Sequence, residues 1–195
     1  TKTGLGYENK GTASAYTDEC SETAISTKEL QKKYKKALAT PSFTANKTGE
    51  TYATQEELEA YLNEIDDDND NLYSFVIGQT VNGKDIPFIV MTTTDITGLS
   101  LEDAAAAVRA NEKPTVYLHA LIHGNEPSSG DGALAAISEL DGKYGKKMLP
   151  SVNVIVVPRV NGDGIEAWTR GTSQVNDLNR DNLHVKSPEI KATHY

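Results

Sequence analysis

Cysteine is almost absent. Cys20 is the only one in 195 residues, which excludes an internal disulfide and any zinc site built on cysteine. Positive charge is also scarce: 19 Lys and Arg stand against 28 Asp and Glu, for a net charge of -9. That balance argues against a nucleic-acid partner, because phosphate binding needs clustered Lys and Arg. The one basic cluster, KELQKKYKK (28–36), contains Glu29 and has helical spacing, so it reads as a solvated helix face. No apolar run approaches the roughly 20 residues needed to span a bilayer. No internal repeat is visible either.

What is present is ordinary for a globular protein, with 37% apolar and 24% charged residues. The length predicts one domain with a small N-terminal extension. The first 25 residues are rich in Thr, Ser, Gly and Lys and open at Thr1 without an initiator Met. They are expected to run irregularly, and they lean towards an exported protein.

Periodicity supplies the elements. STKELQKKYKKAL (26–38) reads as a short helix and TPSFTANKTGET (40–51) as a loop. TQEELEAYLNEI (54–65) is a helix opened by a Thr54–Glu57 capping box, with Leu58, Tyr61, Leu62 and Ile65 as its buried stripe. DDDNDN (66–71) lacks the central Gly and distal Glu of a calcium loop and reads as a solvated turn. The runs 72–81 and 86–93 flank Asn82-Gly83, a hairpin signal. SLEDAAAAVRAN (100–111) fits a surface helix capped by Ser100, or a loop. PTVYLHALI (114–122) and VNVIVVPRV (152–160) are almost wholly apolar, as strands covered on both faces would be, and a helix over 129–140 lies between them. Strand, helix and strand in that order predict a right-handed parallel unit, with the hairpin adding antiparallel edges. The expected fold is α/β.

Ligands of open α/β sheets bind beyond the carboxyl ends of the strands. HGNE (123–126) follows the first apolar strand, NGDG (161–164) follows the second, and TRGTSQVNDLNRDN (169–182) comes next. His123 and Glu126 offer an imidazole nitrogen and a carboxylate oxygen, both suited to zinc. The same tetrapeptide also fits a polar turn whose His caps the neighbouring helix. His119, inside the strand, reads as a core histidine. Arg170 and Arg180 suit a substrate bringing one carboxylate and one developing oxyanion, though each alone also fits a surface ion pair. Asn179 offers an amide to the same carboxylate, and Asp177 reads as a residue that orients its loop.

In this order HGNE, NGDG after a buried strand, Arg170 and DLNRD (177–181) resemble the zinc carboxypeptidases related to carboxypeptidase A. IGQTVNGKDIP (77–87), after the helix over 54–65, resembles that family's opening segment. The resemblance covers residues 52–195. It implies a mixed, mainly parallel sheet flanked by helices, incomplete at the C-terminus, so that residues 51–195 are the front part of a catalytic domain. It implies zinc as cofactor, with His123 and Glu126 as its first two ligands. Arg170 matches the arginine that polarises the scissile carbonyl, and Asn179 with Arg180 the pair that holds the terminal carboxylate. The implied partner is a peptide with a free C-terminal carboxylate.

Two departures stand out. Gly162 replaces the family's Pro, which loosens that loop and weakens Asn161 as a substrate contact. A third zinc-binding His and a general-base Glu belong further on than His184 or His194, and the helix begun by SPEIKATHY (187–195) stops at Tyr195. A chain of this extent is expected to bind zinc weakly and to hydrolyse peptides at background rate. A related zinc N-acyl-amino-acid hydrolase, and a non-catalytic peptide-binding module, are the alternatives.

Overall fold

Thr54 and Glu57 open helix α1 (Gln55–Asp68) by exchanging bonds: Glu57 N–H donates to Thr54 Oγ1 (3.1 Å) and Thr54 N–H to the Glu57 carboxylate (2.9 Å). Its stripe of Leu58, Tyr61, Leu62 and Ile65 is buried as the spacing predicts. The computed structural model describes Lys32, residues 52–68 and residues 70–194. All but Lys32 belong to the second of two units into which the chain divides, Thr40–Tyr195. The expected helix over 26–38 (Lys32 apart), the loop over 40–51 and the irregular opening lie outside the described residues.

Strands β1 (Leu72–Gln79) and β2 (Asp85–Met91) form the expected hairpin, with Leu72 opposite Met91 and Gln79 opposite Asp85. Gly83, at φ +81°, makes the turn, and Thr80 N–H donates to Lys84 O across it (2.8 Å). Ser100 caps helix α2 (Leu101–Ala110) by accepting from Asp103 N–H (3.1 Å), so this segment is helix and not loop. Then come β3 (Thr115–His119), α3 (Ser128–Asp141), α4 (Lys143–Met148) and β4 (Asn153–Val157). Last are α5 (Gly162–Glu166), a 3₁₀ turn at Leu178–Arg180 and α6 (Pro188–His194).

The sheet order is β1-β2-β4-β3. Within the described residues its parallel part is the β3–β4 pair, joined through α3, while β2 runs antiparallel to both β1 and β4. The fold is thus α/β with a mixed sheet. Side chains alternate across the strands. Leu72, Ile89, Met91, Val154 and Val156 pack with α1 and α3 on one face. Tyr73 and Val90 meet α2, and Ile86 and Val157 meet Leu178 and Ile190, on the other.

Two expectations need correcting. β3 is not covered on both faces: it is the edge strand, and Val116, Tyr117 and Leu118 are exposed. An apolar run signals a need for cover but does not say what supplies it, and no described strand pairs with its outer side. His119 is accordingly no core histidine; it lies on that exposed strand beside the Tyr117 ring. No helix among the described residues is long and apolar enough to cross a membrane.

Asp181 fastens α6 to the loop before it. Its carboxylate accepts from Ser187 Oγ (2.6 Å), Ser187 N–H (2.7 Å) and Lys186 N–H (3.0 Å). The Ser187 hydroxyl and the Ser187 amide, with a lesser part from the Lys186 amide, hold the carboxyl below its ordinary value against the opposing effect of burial. Asp181→Ala should therefore destabilise the fold by about 1–2 kcal/mol at neutral pH. A carboxyl with a lowered folded pKa contributes fully above its unfolded value and loses that contribution as pH falls through the folded one. Urea unfolding across an acid series should show the gap between wild type and variant closing. A gap that stays constant with pH would contradict this role.

Candidate active site

The two parallel strands stay zipped together past their ends, which decides where the polar loops fall. Ala120 N–H donates to Val157 O (2.8 Å), Val160 N–H to Ala120 O (3.1 Å) and Asn161 N–H to Leu121 O (3.0 Å). The chain after β3 thus runs beside the chain after β4, at the carboxyl ends of the pair. Leu121 then bends it. This residue is buried with φ +55°, a left-handed conformation unfavourable by about 1–2 kcal/mol for a side chain of this kind. Its packing and the bond from its N–H to Ser129 Oγ (3.0 Å) hold it there.

Beyond Leu121 the loops meet backbone to backbone. A Cβ on Gly124 would lie 1.9 Å from the carbonyl carbon of Gly164 and 2.3 Å from Ile165 N. HGNE and NGDG therefore interlock through their glycines. Asn161 joins the third loop to them: Nδ2 donates to Ile122 O (3.3 Å), Arg170 O (3.4 Å) and Gly171 O (3.1 Å), and Oδ1 accepts from Gly164 N–H (2.8 Å). The side chain is fully buried, so Asn161 is no substrate contact, and Gly162 does not leave the loop loose.

Four side chains then close a ring. His123 Nδ1 lies 3.1 Å from Glu126 Oε2, and His123 Nε2 lies 3.0 Å from Asp177 Oδ1. Arg170 completes the circuit, with Nε donating to Asp177 Oδ2 (3.1 Å) and Nη1 to Glu126 Oε1 (3.1 Å). The imidazole is buried, whereas about half of the Glu126 and Arg170 side chains faces solvent. Burial opposes ionisation of Asp177, but the hydrogen bonds from His123, Arg170 and Asn179 N–H outweigh it and hold that carboxyl below its ordinary value. Of the five residues singled out from the sequence, His123, Glu126 and Arg170 meet here. Asn179 and Arg180 stand exposed on the next turn and do not join the ring: Asn179 N–H donates to Asp177, and Arg180 Nη1 donates to Asn179 O (3.2 Å).

The donor pair suits zinc. Two ligands at 2.0–2.2 Å on a tetrahedral ion stand roughly 3.3–3.6 Å apart, and His123 Nδ1 and Glu126 Oε2 are already 3.1 Å apart. Asp177 backs the other imidazole nitrogen, as carboxylates commonly do behind metal-binding histidines. Among the described residues no group of three or more His, Cys, Asp or Glu converges to hold a metal, so this is a pair and not a closed set. Sequence reasoning gave Asp177 only a loop-orienting part. Its partner His123 lies 54 residues away, and no local pattern signals such a pairing. Asn161 left a signal in standing next to a Gly-rich turn, but its burial could not be read there.

Comparison with known proteins gives the family and the fold. A family model described as zinc carboxypeptidase matches residues 58–190. Carboxypeptidase 2 of Trichophyton tonsurans is 28% identical over 95 residues, an alignment covering 48% of this chain and 18% of that protein. The structure of a metallo-carboxypeptidase from Burkholderia cenocepacia superposes with a TM-score of 0.56 at 20% identity, over 71% of this chain and 36% of that one. Thrombin activatable fibrinolysis inhibitor gives a TM-score of 0.60 at 14% identity, over 93% of this chain and 54% of that one. At such identities the structures show the fold alone. The chain spans less than a fifth of the curated relative's length and up to about half of the two structures'.

The glycine contact makes a sharp test. A methyl on Gly124 would strike backbone that cannot rotate away, so Gly124→Ala should lower stability by about 3 kcal/mol. Gly132, in α3, has open space at its Cβ position, and Gly132→Ala should raise stability by about 0.5–1 kcal/mol. Urea unfolding of the two variants checks both signs. Wild-type stability in Gly124→Ala would mean that the loops are not in contact.

Proposed function

The chain belongs to the zinc carboxypeptidase family, and on that premise we propose that the catalytic domain of which it forms the front part removes C-terminal residues from peptides, with zinc as cofactor. The observation that carries the reading is the ring itself. A buried imidazole and a half-exposed guanidinium each lie within hydrogen-bond distance of the same half-exposed carboxylate. His123 and Glu126 would hold the metal, which supplies Lewis acidity and a nucleophile at neutral pH when bound.

The other residues have separable parts. Asp177 orients the imidazole through Nε2. Arg170 is fixed through Nε and Nη1, and its guanidinium would donate to a substrate oxygen as charge develops there. Arg180 and Asn179, exposed on the next turn, would grip the terminal carboxylate, which a guanidinium can hold with two parallel bonds. The substrate class is then a peptide with a free C-terminal carboxylate. Residues 51–195 are the front part of the catalytic domain in this reading, residues 1–50 an extension, and the protein an exported one.

Kinetics separates the two arginines. In the zinc-loaded enzyme with its whole catalytic domain, Arg170→Ala should chiefly lower kcat, by roughly 100-fold or more, because it acts where charge develops. Arg180→Ala should weaken binding of free-carboxylate peptides far more than of their C-terminal amides. Equal losses on acid and amide substrates would remove the carboxylate clamp, and with it the case for exopeptidase action.

A further inference from the structure

Trp168 is the only tryptophan in the 195-residue chain, and it sits where the Arg170 loop leaves α5. Its φ is +52°, a left-handed conformation in which bulky side chains are rare. Backbone bonds impose it: Ala167 N–H donates to Asp163 O (3.1 Å), Trp168 N–H to Ile165 O (3.2 Å) and Thr169 N–H to Gly164 O (2.8 Å). The ring stacks on Tyr52, with centroids 5.3 Å apart and planes 15° from parallel. Yet Trp168 remains 55% exposed. A tryptophan that merely filled space would be mostly covered; this one stacks on an aromatic ring and keeps more than half of its surface in solvent.

Its position gives the open face a use. Consecutive Cα atoms are 3.8 Å apart, so those of Trp168 and Arg170 are separated by at most about 7.6 Å. An extended peptide advances roughly 3.3 Å per residue. A side chain one or two residues from a carbonyl held at Arg170 can therefore reach the indole. The carbonyl of Arg170 is tied to Asn161 Nδ2 (3.4 Å).

We propose that Tyr52 and Trp168 form an aromatic platform that takes the ring of an aromatic side chain of the substrate peptide, beside the bond to be cleaved. The proposal rests on the peptidase reading above and narrows its substrate class. Trp168 would touch the substrate, and Tyr52 would position Trp168. Parallel aromatic surfaces favour offset stacking, and the cationic Arg170 two residues on disfavours Lys or Arg in the same place.

The lone tryptophan makes the test direct, since intrinsic fluorescence of this chain reports one ring. Acetylated tetrapeptides with a free C-terminus, each carrying one Phe at a different position, are titrated against the all-Ala peptide. At least one Phe peptide should change Trp168 emission saturably and bind roughly 2- to 12-fold more tightly. Tyr52→Leu, which keeps the probe, should lose that preference. Equal binding of all the peptides, emission unmoved by any of them, or a response to chitotriose without one to peptide would overturn the platform. The acid-against-amide kinetics of Arg180→Ala do not involve this ring, so failure of the platform and failure of the peptidase reading are told apart.

Discussion

One buried amide gathers the site. Asn161 contacts carbonyls 39 residues before it and 9 to 10 after it, and it also accepts from Gly164 N–H. A side chain fully removed from water must meet its hydrogen-bonding capacity inside the protein, and here it does so from three loops at once. Without it, the carbonyls of Ile122 and Arg170 would lose a donor and that of Gly171 would keep the Thr169 hydroxyl; a buried group left unmet is unfavourable by about 1–3 kcal/mol. The Gly124–Gly164 contact works alongside it, because two backbones without side chains can approach where any Cβ would collide. Together these features bring His123 against Asp177 and Glu126 against Arg170.

That gathering has an electrostatic consequence. His123 stands between two carboxylates, and Arg170 between the same two. The buried imidazole is held by one carboxylate, Asp177, and faces the solvent-accessible one, Glu126. A donor pair arranged in this way loses less conformational freedom on meeting a cation than two free side chains would. Asn179 and Arg180 stay outside the circuit and keep contact with solvent.

Much of the fold was legible because local chemistry agreed with the tertiary result. The Thr54–Glu57 capping box, the Leu58–Ile65 stripe, the Asn82-Gly83 turn and Ser100 as a cap each act within a few residues, and each is present. β3 was misjudged because apolar composition reports how a strand would be covered, while its place at the sheet edge depends on which strands pair. His119 was misplaced with it. At the site, His123 and Glu126 could be picked out by their spacing, and Arg170 by its motif. Asp177 and Asn161 could not, because their parts depend on contacts across 54 and 39 residues that no sequence period records.

Asn161 touches none of the donors, yet through its three loops it governs them. Competition with a chromophoric chelator gives the zinc affinity of the wild-type chain and of Asn161→Ala, once each is shown to be folded. An affinity at least 10-fold lower in the folded variant is the predicted result, because its loops no longer hold His123 and Glu126 together. Equal zinc affinity in the two chains would show that the donor pair needs no such tie, and would contradict the account.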